Sequence, residues 1–233
     1  MLDLTAFFQG EVLAGVSDRG IDFQFPDDDR GFTGDQQDYL AGILPDNPVF
    51  TVRQVHGDRA VVAVKKDLER GVSLPEADGI IGREADLPVA VRTADCLPVF
   101  LYDPVRRAIG LVHAGWRGTR AGIVGKTLAK MTQEWGTRPE DVLAAFGPAI
   151  GSCCYEVGSE FHEHFPEDII EREGRIFLDL PGANRRQLTA VGLRPDNIRE
   201  CGICTCCRDE WFSYRREGTA AGRHLSWMML KAV

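Results

Sequence analysis

Apolar residues in this chain gather mostly into short runs of strand character, with a few stretches at helical spacing between them. Residues 12–16, 60–64, 142–146, 176–180 and 198–203 read as strands, and residues 21–25 alternate apolar with polar as a half-buried strand does. Residues 50–55, Phe-Thr-Val-Arg-Gln-Val, read as a further strand ending at His56-Gly57. Near the C-terminus, Leu225, Trp227 and Met229 fall on one face of a strand over residues 224–230. Helical periodicity is clearest over residues 119–135, where Ile123, Val124, Leu128, Met131 and Trp135 share a face and Gly136 stands where a left-handed residue ends a helix. Shorter helices are expected over residues 39–44, 159–165 and 183–191. Asp27-Asp28-Asp29-Arg30-Gly31 reads as a solvated turn, and Asp78-Gly79 as a turn of hairpin type. Strand groups separated by helices predict a mixed α/β (α+β) layered architecture, with residues 1–233 as a single domain.

Residues 97–102 and 108–112 are both apolar and β-prone, and Asp103-Pro104-Val105-Arg106 between them has the residues of a type I turn. A hairpin closed by that turn sets Tyr102 opposite Arg107. The same register sets Cys96 opposite His113, with Cβ atoms roughly 4.5–5.5 Å apart. That separation suits two ligands on one metal ion, or a thiol and its base.

Composition narrows the function classes. With 44% hydrophobic and 27% charged residues the chain is ordinary for a globular protein. Its net charge of −8 argues against a general nucleic-acid or membrane-surface binder, while leaving room for a local arginine pocket. No apolar run approaches membrane-span length, and Met1-Leu2-Asp3-Leu4 lacks the basic start and apolar core of a signal peptide, so a cytoplasmic location is expected. In that setting the seven cysteines are expected as thiols or metal ligands, not disulfides.

No phosphate-binding Walker loop, dinucleotide glycine fingerprint, GxSxG elbow or HExxH helix is present. Cys96 and His113, with His56 as a third group, have the composition of a catalytic zinc site with one open position. A bound zinc would deprotonate the thiol and bring its water to a pKa of about 7. The same cysteine and histidine would equally serve as nucleophile and base, and both readings stay open at this point. A non-enzymatic zinc-stabilised scaffold would need a fourth protein ligand, and none is evident beside these three. Arg117, just past His113, and Arg215 with Arg216 are either anion-binding groups or solvated surface arginines. Cys201-x2-Cys204 has zinc-knuckle spacing, but only Cys153-Cys154 is available to complete it, so buried structural thiols are the better expectation there. His162 and His164 are expected in solvent.

Several short motifs occur in a fixed order: Arg53-Gln54-Val55-His56-Gly57, Ala77-Asp78-Gly79, Thr93-Ala94-Asp95-Cys96-Leu97-Pro98-Val99 and His113-Ala114-Gly115-Trp116-Arg117-Gly118. Gly147-Pro148-Ala149-Ile150-Gly151 with Cys154-Tyr155-Glu156-Val157, and Ser213-Tyr214-Arg215-Arg216 with Gly222-Arg223, complete the set. From residue 50 to the C-terminus the chain resembles the YfiH/laccase-domain family, the multicopper-polyphenol-oxidase-like proteins described as purine nucleoside phosphorylases. The resemblance implies an α/β/β/α layered fold with mixed sheets and a single zinc held by His56, Cys96 and His113. It also implies phosphorolysis of adenosine, inosine, guanosine and methylthioadenosine, together with adenosine deamination. In some bacterial members it implies hydrolytic removal of misincorporated serine from peptidoglycan precursors. Asp78 is then expected as an acid/base or ligand-supporting group, and Arg53, Arg117, Arg215 and Arg216 as holders of nucleoside and phosphate. A multicopper laccase needs a type 1 copper and a trinuclear cluster, which five histidines cannot build, although copper outranks zinc in affinity for a His₂Cys site. Residues 20–48 lack the family's usual N-terminal segment, which puts this chain's departure at the rim of the substrate pocket. The pattern sets no oligomeric state.

Overall fold

A computed structural model describes residues 1–24, 32–44, 48–69 and 74–232, so the expected turn at residues 27–31 lies outside the described residues. The chain runs through β1 (Leu2–Asp3), β2 (Val12–Val16), α1 (Gly34–Ala41), β3 (Ala60–Ala63), α2 (Lys65–Glu69), β4 (Gly79–Gly82) and β5 (Val89–Thr93). It continues through β6 (Leu97–Asp103), β7 (Ala108–Ala114), α3 (Trp116–Arg120), α4 (Ile123–Trp135), β8 (Leu143–Phe146), β9 (Glu156–Val157) and α5 (Phe161–His164). The last elements are β10 (Ile169–Arg172), β11 (Arg175–Leu178), α6 (Leu180–Ala190), β12 (Ile198–Glu200), α7 (Tyr214–Glu217) and β13 (His224–Leu230). Among the described residues no helix is long and apolar enough to cross a membrane.

Two sheets carry the architecture. One is a six-stranded mixed sheet, in the order β12-β8-β6-β7-β4-β3, and the other a four-stranded antiparallel sheet, β1-β2-β13-β5. Alternation along β6 and β7 explains how they stack. Leu97, Val99, Leu101 and Val112 pack with Leu128 and Met131 of α4 and Leu188 of α6. Phe100, Tyr102, Ile109 and Leu111 point the other way, against Val12, Val16, Val91 and Met228 of the four-stranded sheet. That sheet's outer face, with Leu225, Trp227 and Met229 on it as expected, is covered by Leu40 of α1 and by Leu44. The result is the α/β/β/α layering, with both faces of both sheets buried. A small three-stranded sheet, β10-β11-β9, flanks it.

The central hairpin forms, but two residues out of the expected register. Tyr102 pairs with Ile109, not Arg107, and His113 faces Pro98, not Cys96. Asp103 stays in the strand opposite Ala108, and its Oδ1 accepts the amides of Val105 and Arg106 at 2.9 Å each. The loop is therefore residues 104–107, closed by Arg107 at a left-handed φ of 49°. Side chains on a strand alternate with a period of two, so this slip leaves each on the expected face. Cys96 becomes a diagonal neighbour of His113.

Three other expectations change for local reasons. Residues 21–24 form no strand, because the Asp22 carboxylate accepts the amides of Gln24 and Arg223 and fixes a turn. Residues 50–55 pair only through single bridges, Phe50 with Val89 and Arg53 with Glu76. Gln54 explains this: its side-chain amide accepts from Arg92 N at 2.8 Å and donates to Arg92 O at 2.7 Å, replacing strand backbone with side chain. The helix expected over residues 119–135 starts at Trp116 and is broken by Gly122 at φ +82°, giving α3 and α4; Gly136 at φ +68° ends it as expected. The helix expected over 39–44 lies at α1, and Asp78-Gly79 leads into a strand paired in parallel with β3, so it is not a hairpin turn.

His224 generates a stability prediction. It is fully buried, its Nε2 accepts the Phe212 amide at 2.6 Å, and burial pushes its pKa down to about 4. The unfolded chain therefore takes up a proton near pH 6.5 that the folded chain refuses until about pH 4, and stability falls as pH drops through that window. Between pH 7.5 and pH 5 the loss from this group is about 2 kcal/mol. Urea unfolding of His224→Gln should show a pH-dependent loss smaller than wild type by about that amount.

Candidate functional site

Two backbone corners and the end of a strand deliver His56, Cys96 and His113 to one point. His113 follows Ile109 and Leu111 along β7, on the face turned toward the four-stranded sheet. Cys96 lies where the chain crosses from β5 in one sheet to β6 in the other, at a corner made by Asp95 with φ +82°. That corner is pinned on both sides. The Asp95 carboxylate accepts the Thr205 hydroxyl and the Arg215 amide, each at 2.6 Å, and its carbonyl accepts the Ile150 amide at 2.9 Å. His56 sits at φ +58° in the turn that follows the Gln54 clamp.

Asp78 holds two of the three together. Its carboxylate is wholly buried; Oδ1 bonds the His113 Nδ1 at 2.7 Å and accepts His56 N at 3.0 Å. Oδ2 accepts Gly57 N at 2.7 Å and Val55 N at 3.2 Å. With Nδ1–H directed at Asp78, His113 turns its Nε2 toward Cys96 and His56 as an acceptor, the arrangement that orients histidine ligands in metal sites. Two glycines of the His113–Gly118 motif make room. A Cβ at Gly115 would stand 3.0 Å from Cys96 Sγ and 3.2 Å from His56 Cδ2, and one at Gly118 would stand 2.7 Å from Gly57 O.

The donor atoms of His56, Cys96 and His113 all lie within 4.8 Å of one another. One ion with bonds of about 2.0–2.3 Å bridges such a set with small side-chain adjustment. Burial pushes the Cys96 thiol up, but the neighbouring His113 and His56 outweigh it and bring it down to about 6. Burial pulls His113 down, and the Cys96 sulfur with the Asp78 carboxylate overcomes this, raising it to about 9. The pair thus favours a thiolate beside a protonated imidazole, and a cation between them takes the place of that proton.

The triad opens into a cleft of about 660 Å³. Of the arginines expected at the site, Arg117 and Arg215 line it. Arg117 stacks on Trp116 with 4.5 Å between guanidinium carbon and ring centre, and Arg215 donates to Cys154 O and Glu156 O while lying 5.2 Å from the Tyr155 ring centre. Arg216 is turned inward, donating to the carbonyls of Thr205, Cys206, Arg208 and Trp211 and to Glu217. Arg53 pairs with Glu76 across a bridge outside the cleft. Sequence reasoning passed over Arg92, Arg223, Tyr155 and Tyr214, which also line the cleft. Arg92 sits on β5 one residue before the Thr93–Cys96 motif, and the other three belong to quoted motifs, so proximity to those motifs was the available signal. Exposed Cys153 and Cys207 contradict the expectation of buried structural thiols: with Cys154 and Cys204 they form a second tight group.

The chain is similar in sequence and fold to known proteins. A family model described as multi-copper polyphenol oxidoreductase laccase matches residues 25–231. A purine nucleoside phosphorylase of Bacteroides thetaiotaomicron is 42% identical over 172 residues, which are 70% of this chain and 64% of that protein. One from Aquifex aeolicus is 37% identical over 191 residues, 82% of each chain. The crystal structure of YlmD from Geobacillus stearothermophilus superposes with a TM-score of 0.85 at 28% identity, covering 95% of this chain and 93% of that one. Bacillus licheniformis YfiH gives 0.82 at 28% identity, covering 94% and 93%.

The role drawn for Asp78 is open to measurement. Asp78→Asn keeps the volume but offers one acceptor oxygen where four bonds end, so affinity for zinc, read by competition with a chromophoric chelator, should fall about 10- to 100-fold. Unchanged affinity would show that His113 and His56 need no such support.

Proposed function

The chain belongs to the multi-copper polyphenol oxidoreductase laccase family, and we propose that it is an enzyme that cleaves purine nucleosides with inorganic phosphate, using a zinc centre held by His56, Cys96 and His113. The observation that carries this reading is the contrast between the cleft and the chain. The chain has a net charge of −8, yet among the described residues the cleft is lined by Arg92, Arg117, Arg215 and Arg223 and by one acid, Asp95, whose oxygens are already hydrogen-bonded. An anion is therefore drawn to this wall. Tyr155 and Tyr214 add aromatic surface against which a purine packs beside it, while the Trp116 ring carries Arg117. The relatives' name, purine nucleoside phosphorylase, supports the same substrates.

In the reaction a phosphate oxygen bonds to ribose C1′, the C1′–N9 bond breaks, and the purine leaves with the bonding pair and takes up a proton. Arg117 and Arg215 hold the phosphate, and Arg215 is kept in place by its two carbonyl acceptors. His56, Cys96 and His113 would hold the metal, which when bound would supply Lewis acidity. Asp78 positions His113 and His56 and does not itself reach the substrate, because its four hydrogen bonds leave it no exposed surface. Adenosine deamination, which replaces the C6 amino group by oxygen from water, is proposed at the same centre, and methylthioadenosine as a further substrate. Copper competes for the same three donors. A laccase mechanism lacks the histidines: of the five, His162 pairs with Glu171, His164 contacts Arg120 and His224 is committed to the Phe212 amide.

A second reading has one specific observation behind it, the series Cys96–His113–Asp78, which has the chemistry of a cysteine hydrolase. Iodoacetamide separates the two. Protection of Cys96 that a chelator lifts supports the ligand; rapid alkylation regardless of chelator supports the nucleophile and overturns the zinc reading. For the phosphorylase itself, inosine should yield hypoxanthine and ribose 1-phosphate only when phosphate is present. Arg117→Gln should raise the KM for phosphate roughly tenfold, the loss of one charge-assisted hydrogen bond. Release of free ribose without phosphate would contradict the proposal.

A further inference from the structure

A second group of sulfurs lies outside the triad. The Sγ atoms of Cys153, Cys154, Cys204 and Cys207 all lie within 4.8 Å of one another. Cys207 Sγ is 3.3 Å from Cys153 Sγ and 3.2 Å from Cys154 Sγ, and none of the four is in a disulfide. Four thiolates around one zinc at about 2.3 Å stand about 3.8 Å apart, so the two Cys207 contacts need to open by about half an ångström and no pair has to close by more than about 1 Å. Cys204 and Cys207 have the C-x2-C spacing of a zinc knuckle, three residues further along than the pair the sequence suggested. The Gly151 amide donates to Cys204 Sγ at 3.3 Å, a bond that favours the anionic sulfur. Arg172 and Arg215, donating to the carbonyls of Cys153 and Cys154, bring positive charge to what would be a doubly negative centre. Cys201 and Cys206 take no part.

We propose that Cys153, Cys154, Cys204 and Cys207 bind a structural zinc ion, separate from the His56–Cys96–His113 centre. The four ligands join two segments that also meet through the β-bridge of Ala149 with Cys204 and the hydrogen bonds of Arg215 to Cys154 O and Glu156 O. Each segment builds the cleft wall. Tyr155 follows Cys154, while Thr205 follows Cys204 and gives its hydroxyl to Asp95, next to Cys96. The ion is thus a clip that fixes the corner on which Cys96 stands. A closed set of four protein ligands leaves no position for substrate, so the site is structural.

Metal analysis of the full chain, purified under reducing conditions, should give two zinc ions. Cys207→Ser and Cys153→Ser should each leave one, Cys96→Ala should leave one, and Cys206→Ser should keep two. Should a serine variant fold poorly, cobalt substitution of the wild-type protein provides a second reading. Two cobalt ions per chain, with the intense thiolate charge-transfer absorption of a four-sulfur site, support the clip. Two zinc ions retained by Cys207→Ser would overturn it. So would a Cys207 disulfide in the intact mass, iron with sulfide at the site, or one wild-type zinc that only Cys96→Ala removes. One wild-type zinc that Cys207→Ser removes and Cys96→Ala does not would uphold the clip while refuting the zinc centre of the proposed function.

Discussion

One buried carboxylate sets the geometry of the candidate centre. Asp78 sits at the start of β4 with no exposed surface and accepts from the amides of Val55, His56 and Gly57 and bonds the His113 ring. An ionised group with so little solvent is tolerated only when its lone pairs are filled. Here two of the four donors that fill them, the His56 amide and the His113 ring, belong to the residues that converge with Cys96. Burial pushes its pKa up, and the His113 bond with the Gly57 and Val55 amides more than reverses this, favouring the anion. The hydrogen bonds that fix the histidines are therefore the same ones that favour the charge.

The third donor depends on a different constraint. Cys96 stands at the point where the chain leaves the four-stranded sheet for the six-stranded one, and the left-handed corner at Asp95 is stable because Thr205, Arg215 and Ile150 all bond to that residue. The same partners belong to the segments that carry Tyr155 and Arg215 into the cleft. Centre and substrate wall are consequently one mechanical unit, and the four-cysteine group lies where its two segments meet. The arginines gather there despite the acidic balance of the chain, which concentrates positive potential in the cleft.

Much of this was visible in the sequence. The strands at residues 12–16 and 224–230 match β2 and β13, because apolar residues on both faces of a buried strand give a strong local signal. The triad was found through its motifs, and the two-residue register error left it intact because a strand repeats every two residues. What was not legible depended on side chains standing in for backbone. Gln54 dissolves an expected strand by pairing with Arg92, Asp22 does the same for residues 21–24, and Asp103 moves a turn by one residue at each end. Arg215 and Arg216 are adjacent and chemically identical, yet one lines the cleft and the other is consumed by loop carbonyls. Only tertiary structure distinguishes them. The pairing of Cys153 and Cys154 with Cys204 and Cys207 likewise required the fold, since more than fifty residues separate the two pairs.

The central claim is that the ion at His56, Cys96 and His113 is what makes the cleft a phosphorylase. The most direct measurement is a zinc titration of the chelator-stripped protein, following ribose 1-phosphate formation from adenosine or inosine and the accessibility of Cys96 in the same samples. Activity and protection of Cys96 should rise together and saturate together, with Cys96→Ala inactive at every zinc concentration. Full phosphorolysis by the stripped protein, or by Cys96→Ala, would contradict the account.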